Sequence, residues 1–240
     1  MNSQPIAKPA KPVSKLWRPE LVRLPRLTPG RRFMRTLSHG VLKLLSRLCL
    51  RVHLIGKENL PKGGPLIVVI NHLGDADAAA LLPVLPSPPD ALGKIELYDY
   101  PILGRLMDWY GVIWLHRGQP DKRAIRSALQ GLQEGRVLVI APEGRYTLIG
   151  GLEEGRGGAA FLAIKTGAPI LPISLMGTQN PRVYSALRKL RRADVTVRIG
   201  KPFILKGQSD RQAAMRDGTK QIMLALAELL PIEYRGEYQV

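Results

Sequence analysis

Apolar residues in this chain fall into short runs broken by Gly, Pro and charged positions, except where they recur with helical spacing. Compact runs rich in Val, Ile and Leu occupy residues 51–55, 65–70, 92–96, 111–115, 136–141, 169–174 and 194–199. Runs of that length and composition predict buried strands. Between them, the pattern predicts helices over 76–83, 101–110, 121–134, 156–167, 181–190 and 210–230. Asp121 is suited to cap the helix that carries Ile125, Leu129 and Leu132, and Gly135 to end it. Four prolines in residues 83–90 predict a rigid loop. The alternation implies an α/β fold, with a central, mostly parallel sheet flanked by helices.

The first fifth of the chain differs. Arg35, His39, Lys43, Arg47 and Arg51 recur every fourth residue, among Phe33, Met34, Leu37, Val41, Leu42, Leu44, Leu45, Leu48, Cys49 and Leu50. Fourfold spacing drifts slowly around a helix, so residues 31–52 predict an N-terminal amphipathic helical element with a basic stripe and a wide apolar face. Such a helix suits an anionic membrane interface, with Arg35, Lys43, Arg47 and Arg51 meeting headgroups. The plainer alternative is a helix packed on the domain with its charges in water. Residues 1–30 carry six prolines among Lys and Arg and predict a flexible basic arm. Residues 53–240 are left as the main domain.

Charge sharpens this division. The formal net charge is +17, and residues 1–60 hold 13 of the 36 Lys and Arg but only two of the 19 Asp and Glu. So basic a segment calls for an anionic partner. Nucleic acid fits less well than lipid, because Trp17 and Phe33 are the only aromatics in residues 1–60 and stacking platforms need more. No nucleic-acid partner is expected. One cysteine excludes an intrachain disulfide and a cysteine metal cage. Neither a secretory leader nor an ordinary membrane-spanning run is expected.

The chemistry-bearing residues gather at strand ends. Asn71-His72-Leu73-Gly74-Asp75-Ala76-Asp77 follows the run 65–70. On a strand-to-helix turn, Asp77 can accept from one ring nitrogen of His72 and leave the other as a base. Asp75 is a rival orienter. A metal reading is poor, since no second His or Cys cluster completes a site. No Gly-x-Ser-x-Gly elbow occurs, so the simplest chemistry is His72 deprotonating an acceptor hydroxyl. Pro142-Glu143-Gly144-Arg145 follows a second strand, where Gly144 permits close approach and Arg145 suits phosphate. Gly111 to Arg117, between these two in the chain, forms another block ending in His116 and Arg117, with Arg117 a further phosphate-binding candidate. Ala168 to Ser174 forms a fourth, with two prolines around a short apolar run.

The order and spacing of these blocks resemble the glycerolipid acyltransferase family, which includes the 1-acylglycerol-3-phosphate acyltransferases. Asn71-His72-x4-Asp77 matches its first block, and Gly111 to Arg117 resembles its second. Pro142-Glu143-Gly144 matches its third, Pro-Glu-Gly-Thr-Arg, and Ala168 to Ile173 is similar to its closing block. The resemblance spans roughly residues 50–205. It implies an acyl thioester donor (acyl-CoA or acyl-carrier protein), a lysophospholipid or glycerol-phosphate-type acceptor, and no metal or other cofactor. It implies His72 as base, Asp77 as its orienter, and Arg117, Glu143, Gly144 and Arg145 as ligands of the acceptor's polar head. A peripheral protein on the cytoplasmic face of a membrane follows. Three departures stand out: His116 replaces the aspartate of the second block, Arg145 directly follows Gly144 where the family places Thr, and Ala141 replaces an aromatic. Arg156 falls near the family's lysine after the third block. The departures leave open a thioester hydrolase or a catalytically silent lipid-binding protein on the same fold.

Overall fold

A computed structural model describes residues 13–118, 121–207 and 209–239. The strands are β1 (Leu50–Ile55), β2 (Leu66–Ile70), β3 (Asp90–Lys94), β4 (Ile113–Leu115), β5 (Val137–Ile140), β6 (Ile170–Met176) and β7 (Ala193–Ile199). They form one sheet in the order β1-β7-β6-β2-β5-β3-β4. The five strands from β6 to β4 are mutually parallel, β7 runs antiparallel to β6, and β1 pairs in parallel with β7. The helices are α1 (Pro29–Cys49), α2 (Asp77–Leu81), α3 (Leu103–Tyr110), α4 (Lys122–Gln133), α5 (Gly158–Thr166), α6 (Asn180–Arg188) and α7 (Arg211–Glu228).

Every residue of β2 and β6 is buried, as expected of central strands covered on both faces. Ile67 and Val69 face a cluster with Leu162, Ile222, Met223 and Leu226 of α5 and α7. Val68 and Ile70 face the other side, with Leu81, Leu171, Val183 and Val197. The opposite faces of one strand thus anchor both layers, and the C-terminal end of β2 is rigid on each side.

α1 departs from expectation. Thr28 caps it by accepting from Arg31 N at 3.3 Å, and Pro29 takes the first helical position. It ends at Cys49 rather than residue 52, because the ladder to β7 already begins at Leu50 opposite Ala193. Arg51 therefore lies on β1, exposed, 3.4 Å from Asp194. Arg35 does not face outward either. Its Nη2 lies 2.8 Å from Asp90 Oδ1, with side-chain exposures of 7% and 1%, and its guanidinium sits 4.9 Å above the Tyr110 ring. Arg35 and Ser46 are buried, while Phe33, Leu37, Val41, Leu44, Leu45 and Leu48 are exposed. The helix is inside out: part of its basic stripe holds the domain and its apolar face meets the surroundings. Lys43 and Arg47 remain exposed.

The expected arm is likewise corrected where it is described. Residues 13–28 lie against the domain, with Val22 and Pro25 buried, and residues 1–12 fall outside the described residues. Ser14 and Arg117 exchange two hydrogen bonds, Ser14 N to Arg117 O at 2.9 Å and Arg117 N to Ser14 Oγ at 2.8 Å. Arg31 reaches the C-terminus of α3, where Nε and Nη2 each donate at 3.4 Å to the carbonyls of Trp109 and Asp108. A cation there complements the helix dipole. Among the described residues, no helix is long and apolar enough to cross a membrane.

Candidate active site

The site begins where β2 ends. Asn71 extends the ladder with its side chain: Nδ2 donates to Leu175 O at 2.8 Å and Oδ1 accepts from Leu175 N at 2.7 Å. This clamp to β6 fixes the backbone that carries His72. Gly74 lets the following turn pass close to the segment after β6, where a Cβ would come within 2.5 Å of Asn180 Oδ1 and 2.6 Å of Thr178 O.

His72 Nδ1 lies 2.7 Å from Asp77 Oδ2. The same oxygen accepts from Leu73 N at 2.9 Å and Gly74 N at 3.2 Å. With two backbone N–H groups and the ring converging on Oδ2, Nδ1 is the donor of the His72–Asp77 bond, which leaves Nε2 as the nitrogen facing away from the carboxylate. Asp77 is buried, while the His72 side chain is 30% exposed. That is the arrangement of a positioned base with one open nitrogen.

The Asp75 carboxylate is bonded to other partners than the imidazole. Its Oδ1 accepts from Tyr146 Oη at 2.7 Å, and its Oδ2 accepts from Tyr184 Oη at 2.7 Å and Asn180 Nδ2 at 2.9 Å. Burial tends to raise the Asp75 carboxyl, but those three donors outweigh it and leave the group below its ordinary range. Burial and then the Asp75 hydrogen bond and charge push the Tyr146 phenol far above its usual value. Tyr184 is raised by its hydrogen bond to Asp75. Tyr146 in turn packs edge-on against His72, with ring centroids 4.2 Å apart.

The third block is rebuilt relative to expectation. Glu143 is buried; it accepts from His72 N at 3.3 Å and from Glu153 N at 2.8 Å, so it ties the His72 backbone to the segment that carries Glu153. Gly144 adopts φ +73°, a left-handed conformation that glycine tolerates, and the exposed Arg156 lies against it. Arg145, expected to grip an anionic head, is turned inward. Its Nε and Nη2 lie 3.1 and 2.6 Å from Glu153 Oε2, with side-chain exposures of 10% and 6%. Leu148 N donates to the other Glu153 oxygen at 2.7 Å. Tyr146 stands one residue further on, where the family's block carries its arginine. Neither Tyr146 nor its partners Tyr184 and Asn180 were found from sequence; the displaced arginine was the signal that could have pointed to Tyr146.

The second block contains a further His–Asp pair at the same spacing. His116 Nδ1 lies 2.7 Å from Asp121 Oδ2, as in the first pair. Here, however, His116 is 1% exposed, its Nε2 accepts from Arg18 N at 3.0 Å, and Trp17 stacks on it at 4.5 Å. With both nitrogens occupied it is a structural histidine rather than a base. Desolvation works against the Asp121 charge, but donors from His116 and Ala124 prevail and lower its carboxyl. Arg117 sits beneath Ser14, three strands from β2, about 14 Å away across the sheet.

A family model described as Acyltransferase matches residues 51–176, so the chain belongs to the Acyltransferase family. It is 30% identical over 179 residues to a chloroplast 1-acyl-sn-glycerol-3-phosphate acyltransferase of Brassica napus, covering 72% of this chain and 52% of that protein. It is 31% identical over 112 residues to a lyso-ornithine lipid O-acyltransferase of Pseudomonas aeruginosa, covering 46% and 43%. The chain spans about half the length of the curated relatives it matches. Among solved structures, the 1-acyl-sn-glycerophosphate acyltransferase PlsC of Thermotoga maritima matches with a TM-score of 0.63 and 25% identity, over 85% of this chain and 84% of that one.

Proposed function

We propose that the chain moves a fatty acyl group from an acyl thioester, on CoA or acyl-carrier protein, to a hydroxyl of a lysophospholipid or glycerol-phosphate-type acceptor. The observation that carries this reading is the His72–Asp77 pair, with one nitrogen held at 2.7 Å and the other open at the end of the central strand. His72 Nε2 takes the acceptor's hydroxyl proton as its oxygen attacks the thioester carbonyl. The tetrahedral intermediate then expels the thiolate, which recovers the proton from the imidazolium: one C–O bond forms and one C–S bond breaks. Asp77 holds the tautomer and stabilises the transient positive charge. The names of the relatives support a lysolipid acceptor.

The chemistry takes place at a membrane surface in this proposal, with the protein peripheral on the cytoplasmic face. The outward apolar residues of α1 support it, as do Leu103, Leu106 and Trp109, exposed on neighbouring α3. Lys43, Arg47 and Arg51 supply charge for anionic headgroups, whereas Arg35 does not. A labelled acyl thioester incubated with mixed lysolipids and the protein should yield acylated lipid. Release of free fatty acid at the same rate without acceptor would make the protein a hydrolase; ligand retention without turnover would make it a binding protein.

A further inference from the structure

The polar rim around His72 says which kind of headgroup it accepts. Asp75, Tyr146, Tyr184 and Asn180 converge there, and their hydrogens are already committed. Both phenols and one Asn180 N–H point at the Asp75 carboxylate. The two phenolic oxygens keep free lone pairs, and the carboxylate, with about four acceptor positions, keeps one. The cluster thus offers three acceptors, a full negative charge and two aromatic rings, each more than a third exposed. A phosphate monoester, which presents only oxygens, meets a like charge at Asp75 and a single Asn180 N–H there; it is left to Arg156 beside Gly144, with the Asp75 cluster unfilled. Arg145, the cation expected to receive it, is held by Glu153.

An ammonium group has the opposite needs. Its three N–H donors match three acceptors, its charge opposes Asp75, and aromatic faces favour it. We propose that the acceptor is a lysolipid whose head carries a free ammonium group, bound by Asp75, Tyr146 and Tyr184. This rests on the acyltransferase reading and narrows its acceptor. Arg156, exposed beside Gly144, is the neighbouring cation, so a zwitterionic head with both phosphate and ammonium finds a partner for each charge. Raised phenols keep the hydrogens in place at neutral pH, and a depressed Asp75 keeps its charge.

The test compares kcat/KM for acylation of lysophosphatidylethanolamine and a lyso-ornithine lipid with that for lysophosphatidic acid of the same chain. A preference of at least tenfold for the ammonium-bearing acceptors is expected. Acetylating their amine should remove it without any change to the protein. Asp75→Asn should lower the same preference about tenfold, mainly through KM, and Tyr184→Phe should lower it less. Preference for lysophosphatidic acid, or a preference unmoved by acetylation, overturns the headgroup assignment and leaves acyl transfer standing. No acylation of any acceptor overturns acyl transfer itself, and the headgroup assignment with it.

Discussion

Removing the Arg145 side chain would take the guanidinium, 2.6 Å away, from the buried Glu153 carboxylate. Breaking a buried ion pair from one side typically costs about 3–5 kcal/mol, because the remaining charge is left poorly compensated. Arg145→Ala is therefore expected to lower unfolding stability by about 3 kcal/mol in urea melts. A residue that only gripped a headgroup would raise KM and leave the melt unchanged. The same logic separates the two histidines. His72 and His116 share a five-residue spacing to an aspartate and a 2.7 Å contact with it. What distinguishes them is the second nitrogen, open in one and bound by Arg18 N–H in the other. Spacing alone cannot reveal that difference, since the sealing residue lies 98 positions away.

At the scale of elements, α1 decides how the protein meets its surroundings. Its fourfold stripe was legible, but the direction it faces depends on Asp90, a charge at the start of β3 that draws Arg35 inward. Once Arg35 is fixed, Phe33, Leu37, Val41, Leu44 and Leu48 must point away from the domain. Each half-exposed apolar side chain contributes about 1 kcal/mol on entering lipid. Leu44→Gln with Leu48→Gln is thus expected to weaken binding to anionic vesicles by tenfold or more in a flotation assay. Lys43→Gln with Arg47→Gln should weaken it less and mainly at low salt. Vesicle binding unchanged in the leucine variant would remove the interface role of this helix.

The whole molecule is a sheet whose central strands aim their C-terminal ends at one region, the usual ligand side of an open α/β fold. The strand runs were readable because β2 and β6 are buried on both faces and so lack polar interruptions. Strand β3 was misplaced by two residues: its first member is the buried Asp90, a charge that no apolar pattern includes, and Ile95 belongs to the following turn. The blocks at the strand ends singled out His72 and Asp77, which the fold pairs at 2.7 Å, and Gly144, which takes a left-handed turn. They did not reveal that Tyr146, Tyr184 and Asn180 assemble around Asp75, because these contacts join segments 71 or more residues apart in sequence. Arg145 turns inward to Glu153, only eight positions on, and the block pattern does not encode that local pairing. The rim around His72 is thus a product of the fold, while the His72–Asp77 pair is a local motif.

The proposed acyl transfer turns on the open nitrogen of His72. The decisive measurement is steady-state acyl transfer from a labelled long-chain thioester to a lysolipid by folded wild-type, His72→Ala and Asp77→Asn proteins. General-base catalysis is worth about 100- to 10,000-fold. His72→Ala is expected to lose at least 100-fold in kcat with its melting profile preserved, and Asp77→Asn to lose activity by misdirecting the tautomer. Full activity in His72→Ala would contradict the account.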